Sequence, residues 1–432
     1  MQTQKIKDHG IVGAGGAGFP SHIKLDTQAE IVIMNAAECE PLLHKDKELL
    51  DKKIDTILDG FKEAIKITRA EKGIIGIKSK YEDIIAKIKP KLPSNCEISE
   101  VDDFYPAGYE INLVYETTGR LIQPGDLPIS TGCVVLNVET LYNIGINNPV
   151  TSKYLTVGGA VETPQTIQVP VGTPIKDILN EFNVLENNFR VVKDGLMMGE
   201  LAENLDEVIT KKTAGLIILP QGHHYITMRN RYETEEATDR MAKAACDQCS
   251  YCTDLCPMYL TGYPVRPETA MRNRMFSLET MEEGVNPGND FCCECNLCTL
   301  YACPEGLDPK GAIMIEKKFI AKQDLEWEGL PREPHPMEEY RQTPNQRLIQ
   351  RLGVMDLKDK ATLSELMVQP RKVELPLLQH IGSPAIPQKE VGDLVEEGEI
   401  IAKHDEGISA NIHASIKGKI EEIDQDKVII IR

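Results

Sequence analysis

Nine of the twelve cysteines fall between residues 246 and 303, in two tight knots. The first reads Cys246-x-x-Cys249-x-x-Cys252-x-x-x-Cys256-Pro257, and the second reads Cys292-Cys293-Glu294-Cys295-Asn296-Leu297-Cys298, followed by Cys303-Pro304. Two-residue gaps let one short loop bring three thiolates to three corners of an iron–sulfur cubane, and the fourth corner needs a ligand from elsewhere. In two-cluster runs of this kind the fourth cysteine of each run serves the other cluster. On that pattern Cys246, Cys249, Cys252 and Cys303 hold one [4Fe–4S] cluster, and Cys292, Cys295, Cys298 and Cys256 hold the second. Cys293 breaks the two-residue rhythm, but Cys292 adjoins it, so the register at this pair stays open. Two zinc sites are the alternative, although zinc commonly sets its C-x-x-C pairs a dozen or more residues apart. Disulfides closing loops this short would remove little chain entropy. Cys39, Cys96 and Cys133 have no such company and read as small buried hydrophobes.

A second signal is the run Gly13-Ala14-Gly15-Gly16-Ala17-Gly18-Phe19-Pro20, with four glycines in six residues. Such a backbone approaches a ligand closely and aims N–H groups at phosphate or a ring edge. It lacks the Lys-Ser/Thr ending of a P-loop, and it precedes the first evident strand, whereas a dinucleotide fingerprint follows one. Three further segments keep it company: Asn35-Ala36-Ala37-Glu38-Cys39-Glu40-Pro41, Tyr105-Pro106-Ala107-Gly108-Tyr109-Glu110 and Val135-Leu136-Asn137-Val138-Glu139-Thr140.

The elements that must position these residues alternate in type. Ile31 to Met34 is a β-branched, strand-forming run, and from Lys45 to Thr68 apolar residues recur at three- and four-residue steps, which predicts a helix. Gly73 to Ile77, Cys96 to Val101 and Gly132 to Val138 are further strands, with a helix from Tyr81 to Lys89 ended by Pro90. That alternation predicts an α/β layer fold over residues 1–150. Residues 151–228 turn to short apolar stretches with Gly-Pro punctuation and a helix at Ile175 to Glu181, an α+β module. Residues 229–330 hold the cysteine knots, flanked by helix-forming sequence such as Met271 to Glu283. Residues 331–370, rich in proline and charge, read as a linker or strap. Residues 371–432 carry regularly spaced turn signals, as in an all-β barrel or sandwich.

Composition sets the outer bounds. The 432 residues suggest three or more domains, and 41% apolar against 27% charged content is globular. A formal charge of -19 disfavours nucleic acid as a partner. Neither a membrane-spanning run nor an apolar signal-peptide core is evident, so a reducing cytoplasmic setting is expected.

The four nucleotide-type segments, in this order, resemble the flavin- and NADH-binding protein of respiratory complex I. They are more similar to the RnfC/PduS family, which unites the RnfC protein of the Rnf complex with the cobalamin reductase PduS. The resemblance extends over nearly the whole chain. It implies an FMN/NADH-binding α/β domain at 1–150, an SLBB-type β-grasp module at 151–228, a ferredoxin-like helical domain with two [4Fe–4S] clusters at 229–330, and a barrel-sandwich hybrid at 371–432. That last module is similar to biotinyl and lipoyl carriers, yet the surroundings of Lys417 lack a carrier motif, so this lysine is expected to be an ordinary turn residue. By resemblance Gly13, Ala14, Gly15, Gly16, Lys24, Asn35, Glu38, Tyr105, Gly108, Asn137 and Thr140 line FMN, while Phe19, Glu40 and Glu110 lie near the nicotinamide nucleotide. Glu40 and Glu110 are then orienting and electrostatic groups. The complex I protein has arginine where Ala14 stands and aspartate where Ala37 stands, so the contacts to NADH differ there.

What the resemblance implies is an NADH dehydrogenase: a flavin converts a two-electron donor into single electrons that two cubanes accept. The acceptor would be a corrinoid or another protein in a hetero-oligomeric complex. The alternative is a non-catalytic electron conduit with a degenerate NADH site.

Overall fold

The computed structural model describes residues 2–231, 234–276, 284–329, 333–404 and 406–432. Its first layer is a four-stranded, all-parallel sheet in the spatial order Cys96–Val101, Lys72–Lys78, Ile31–Ala36, Cys133–Asn137. Parallel strands buried on both faces need apolar side chains on both, which is why Ile31-Val32-Ile33-Met34 is continuous rather than alternating. Val32 and Met34 pack with Val134, Leu136 and the helix residues Leu49, Ile57 and Phe61. Ile31 and Ile33 face the other way, onto Val135, Leu113 and Val114.

The helix predicted from Lys45 to Thr68 spans Lys45–Thr68. It crosses the helix Val138–Ile146 at two glycines. A Cβ on Gly60 would strike the Leu141 carbonyl, and one on Gly145 would strike the Thr56 carbonyl, so the two backbones are in contact. The helix Glu110–Thr118 covers the opposite face of the sheet through Leu113 and Val114.

The second layer is a six-stranded mixed sheet. Ser152–Gly159 and Gly215–Pro220 run parallel at its centre, flanked by antiparallel Gln165–Pro170 and Phe189–Lys193. The helix Ile175–Leu179 packs its Ile175, Ile178 and Leu179 against Leu155, Val157, Leu216 and Ile218.

The stretch expected to be a linker or strap, 331–370, packs on other elements along its described residues. Thr343–Pro344 pairs with Phe104–Tyr105, Asn345–Leu352 is helical, and Thr362–Met367 extends the mixed sheet beside Gln165–Pro170. The physical reason is a set of apolar residues that the proline count obscured. Leu348, Leu352 and Val354 are buried in one core with Tyr105 and Leu297. Pro331 of that stretch lies outside the described residues.

The cysteine region is helical around its knots, with helices Glu235–Ala245, Pro267–Met275 and Pro309–Gln323. The helix expected from Met271 to Glu283 begins earlier, at Pro267, and residues 277–283 lie outside the described set. The tail forms two antiparallel sheets, one of Lys372–Pro376, Lys427–Ile431, Gly418–Ile423 and Leu394–Val395, the other of Ile386–Pro387, Ile400–Lys403 and Ile412–His413. Among the described residues no helix is long and apolar enough to cross a membrane.

Candidate functional site

The parallel sheet reverses its strand order between Ile31–Ala36 and Cys133–Asn137, and ligands of open α/β sheets bind outside the carboxyl ends of strands at such a switch. Asn35 and Asn137 are register partners at those two ends. The glycine-rich loop closes over them. Gly15 sits so near Asn137 that a Cβ would lie 3.3 Å from the asparagine Cβ. Ala14 N–H donates to Thr140 Oγ1 at 2.9 Å, and Gly13 N–H donates to the Phe19 carbonyl at 2.9 Å. Gly15, Gly16 and Ala17 are exposed, whereas Ala14 and Gly18 on either side are buried. Gly16 has φ +110° with open space where a side chain would be, so the loop is tethered at its ends and bare at its tip. That is the form a close-approaching phosphate or ring edge requires.

Around the crevice the expected residues take up defined contacts. Asn35 Nδ2 donates to the Gly108 carbonyl at 2.8 Å. Gly108 itself abuts the Ala37 carbonyl, where a Cβ would come within 2.6 Å. Lys24 Nζ donates to Glu110 Oε2 at 2.5 Å, so a residue expected to line FMN and one expected by the nicotinamide pair with each other. Tyr105 is buried, and its hydroxyl donates to the Cys295 carbonyl at 2.8 Å, away from the open crevice and toward the second cysteine knot.

Beneath the loop lies a group of buried charges that sequence reading passed over. Asn137 Nδ2 donates to Asp46 Oδ2 at 2.6 Å, and Lys45 Nζ meets Asp46 at 2.7 Å and Glu139 at 3.2 Å. Glu139 also bonds Lys153 Nζ and accepts from Tyr154 N–H at 2.9 Å. In sequence these residues look like surface charges, and only the long-range packing of two helix starts and a strand brings them together. Glu38, half-buried beside Asp46, accepts from Asp46 N–H at 3.2 Å, and burial with that carboxylate neighbour pushes its pKa up to about 8.

Glu40 bridges domains. Its oxygens accept from Met197 N–H at 2.9 Å and Met198 N–H at 2.7 Å in the loop of the mixed sheet. Burial raises it to about 7, although those two N–H bonds act in the opposite direction. The same loop is held from the far side by Asn296, whose Nδ2 donates to the Met197 carbonyl at 3.1 Å. The flavin-type crevice, the mixed sheet and the second knot therefore meet at residues 195–198.

The knots themselves form two cradles. Cys246, Cys249, Cys252 and Cys303 line one recess, together with Gln248, Ser250 and Leu307. Cys256 of the first knot instead has Cys293 and Cys292 as its charge neighbours, and Cys298 has Cys292, Cys256 and, from the first cradle, Cys252. The two knots repeat one backbone shape: φ is +58° at both Gln248 and Glu294, and +65° at both Ser250 and Asn296. Four non-glycine residues in the left-handed region are costly, and the same pair of twists wraps each loop about a common shape. The repeat sets Cys292 opposite Cys246, Cys295 opposite Cys249 and Cys298 opposite Cys252. Glu294 N–H donates to Cys292 Sγ at 3.4 Å, and Leu307 N–H donates to Cys303 Sγ at 3.3 Å. Burial holds the Cys256 and Cys298 thiols well above the ordinary range. Iron would supply the positive charge that lets such crowded sulfurs ionise together. Among the described residues no three His, Cys, Asp or Glu converge on a point as a single metal ion requires. The four cysteines of the first cradle line one recess, an arrangement that suits a cubane.

Residues 6–146 match the Nuo51 FMN-binding domain, 245–308 the 4Fe-4S dicluster domain and 356–430 the RnfC barrel sandwich hybrid domain. The chain is 37% identical to cobalamin reductase PduS of Salmonella typhimurium, over 99% of this chain and 96% of that protein. It is 32% identical to the C component of the Na(+)-translocating ferredoxin:NAD(+) oxidoreductase complex of Acetobacterium woodii, over 59% of this chain and 57% of that one. A NAD+-reducing [NiFe]-hydrogenase structure overlaps it with a TM-score of 0.49 at 19% identity, covering 79% of this chain and 62% of that chain.

Proposed function

This chain belongs to the RnfC/PduS family, and from that premise we propose that it oxidises NADH and delivers single electrons to a protein-held corrinoid. It is an FMN-binding, iron–sulfur oxidoreductase of the NADH dehydrogenase type. A flavin held here would supply the conversion between a two-electron donor and the one-electron cubanes. The corrinoid is favoured over a membrane-complex acceptor because likeness to the cobalamin reductase covers 99% of the chain, against 59% for the Rnf-type relative.

The residues have the following roles in this reading. Gly13 to Gly16 cradle the flavin phosphate, with Lys24 at the rim; Asn35, Glu38, Gly108, Asn137 and Thr140 set the ring edge; Phe19 stacks on the nicotinamide side. Cys292, Cys295, Cys298 and Cys256 hold the cluster beside the crevice, and Cys246, Cys249, Cys252 and Cys303 hold the outer one. The single observation that carries this order is the bond from Tyr105 to the Cys295 carbonyl, which joins the crevice wall to the second knot. Cys249, by contrast, is exposed. The acceptor therefore docks at the first knot. The module at 151–228 is read as an SLBB-type β-grasp that seats the second knot through residues 195–198, and the setting is cytoplasmic.

A non-catalytic conduit is the second reading, favoured by two contacts. Glu110 is paired with Lys24, and both oxygens of Glu40 are held by backbone N–H groups. Anaerobic addition of NADH to the reconstituted protein separates the two. Flavin bleaching followed by cluster reduction supports the enzyme, and a flavin that stays oxidised while dithionite still reduces the clusters supports the conduit.

A further inference from the structure

We propose that Lys153, a residue of the mixed sheet, is a positioning residue for the glycine-rich loop and makes the flavin site depend on a second module. The proposal rests on reading the crevice as the flavin site. Lys153 lies in the strand Ser152–Gly159, beyond the 6–146 span of the FMN-binding domain match. Its side chain is buried, and its ammonium donates to the Ala14 carbonyl at 3.3 Å while contacting the Glu139 carboxylate.

The peptide groups at Ala14 are thereby fixed from two sides. The N–H is held by Thr140 of the helix Val138–Ile146, and the carbonyl is held by a strand of another module. Ala14 is the last buried residue before the bare tip of the loop, so its placement sets where Gly15 stands over Asn137.

Lys153 has two separable roles, since Lys45 also serves Asp46 at 2.7 Å and loss of Lys153 would leave surplus buried negative charge at Glu139. Glu139 already has Lys45 Nζ at 3.2 Å and the Tyr154 N–H at 2.9 Å. A buried charge carries a large desolvation cost, and well-packed apolar residues often replace buried ion pairs without loss of stability. The contact that an apolar residue of similar length could not reproduce is the one to the loop carbonyl.

The test uses the full-length protein with reconstituted clusters and three variants: Lys153→Met, Lys153→Met with Glu139→Gln, and Lys153→Arg. FMN affinity is read by quenching of flavin fluorescence, and stability by the thermal midpoint. A hydrogen bond from a charged donor corresponds to roughly a 10- to 100-fold change in affinity, and that weakening is expected for Lys153→Met. The double variant, with the surplus negative charge removed, is expected to regain stability but not FMN affinity, and Lys153→Arg to regain part of the affinity. Wild-type affinity in Lys153→Met, or recovery of affinity together with stability in the double variant, would overturn the proposal. If Lys153→Met does not fold, the double variant decides alone. Failure of the wild type to bind FMN would instead overturn the reading of the crevice.

Discussion

Cys292 and Cys293 stand side by side, and their spacing alone leaves open which of them is a ligand. The repeated φ values at 248 and 250, and again at 294 and 296, align Cys292 with Cys246, and on that ground we propose Cys292 as the ligand. Cys292→Ser is therefore expected to halve the iron and sulfide content of the reconstituted protein, while Cys293→Ser keeps both clusters; iron analysis with electron paramagnetic resonance of the reduced protein checks this. The reverse outcome would move the register by one residue. Glu38 makes a different kind of prediction. Its pKa is raised from 4.5 to about 8, chiefly by burial, so the folded state holds this proton more tightly than the unfolded state does. The stability it contributes is full below pH 4.5 and is lost as pH rises toward 8. Glu38→Gln should therefore flatten the fall in melting temperature across that window, and an unchanged pH profile would contradict the assignment. The cysteines and the glycine loop are legible in sequence because their chemistry is written in local spacing. Asp46, Glu139 and Lys153 are not, since a lone charge in sequence gives no sign that a distant partner will bury it.

At the scale of elements, the helix Lys45–Thr68 and the strand Cys96–Val101 are found where periodicity and β-branching place them. The helices Glu110–Thr118 and Val138–Ile146 escape sequence reading, being nine residues each and opening within segments already read as loop motifs. Val138–Ile146 nevertheless carries Thr140 and Glu139 and fixes the crevice against Lys45–Thr68. The tight crossing at Gly60 is the mechanical link between them. Alanine favours an isolated helix over glycine by about 1 kcal/mol, but here its methyl group would meet the Leu141 carbonyl. Overpacking of this kind costs roughly 1–3 kcal/mol, so Gly60→Ala should lower the thermal midpoint and weaken FMN binding together. A more stable variant with unchanged flavin affinity would show that the crossing can widen freely. His223 is a smaller case: it caps the helix His224–Asn230 by accepting Tyr225 N–H at 3.1 Å.

At the scale of the whole molecule, four modules converge on one path. The loop 195–198 joins Glu40 of the crevice to Asn296 of the second knot, and the 333–370 segment packs Leu348 and Leu352 against Tyr105 and Leu297. The barrel-sandwich tail reaches the glycine loop itself, where Ile381 N–H donates to the Gly18 carbonyl at 3.2 Å. Lys417, tempting as an acylation site, is paired with Glu396 at 2.6 Å on the exposed surface. Such convergence is beyond sequence reading because each contact joins residues tens to hundreds of positions apart. In the proposed relay the crevice lies against the second knot and the second knot against the first. The most direct test is rapid-freeze electron paramagnetic resonance after anaerobic mixing of NADH with Cys256→Ser protein, a variant lacking the inner cluster. The expected result is a flavin that still bleaches while the outer cluster stays oxidised. Reduction of that outer cluster at the wild-type rate would contradict the relay.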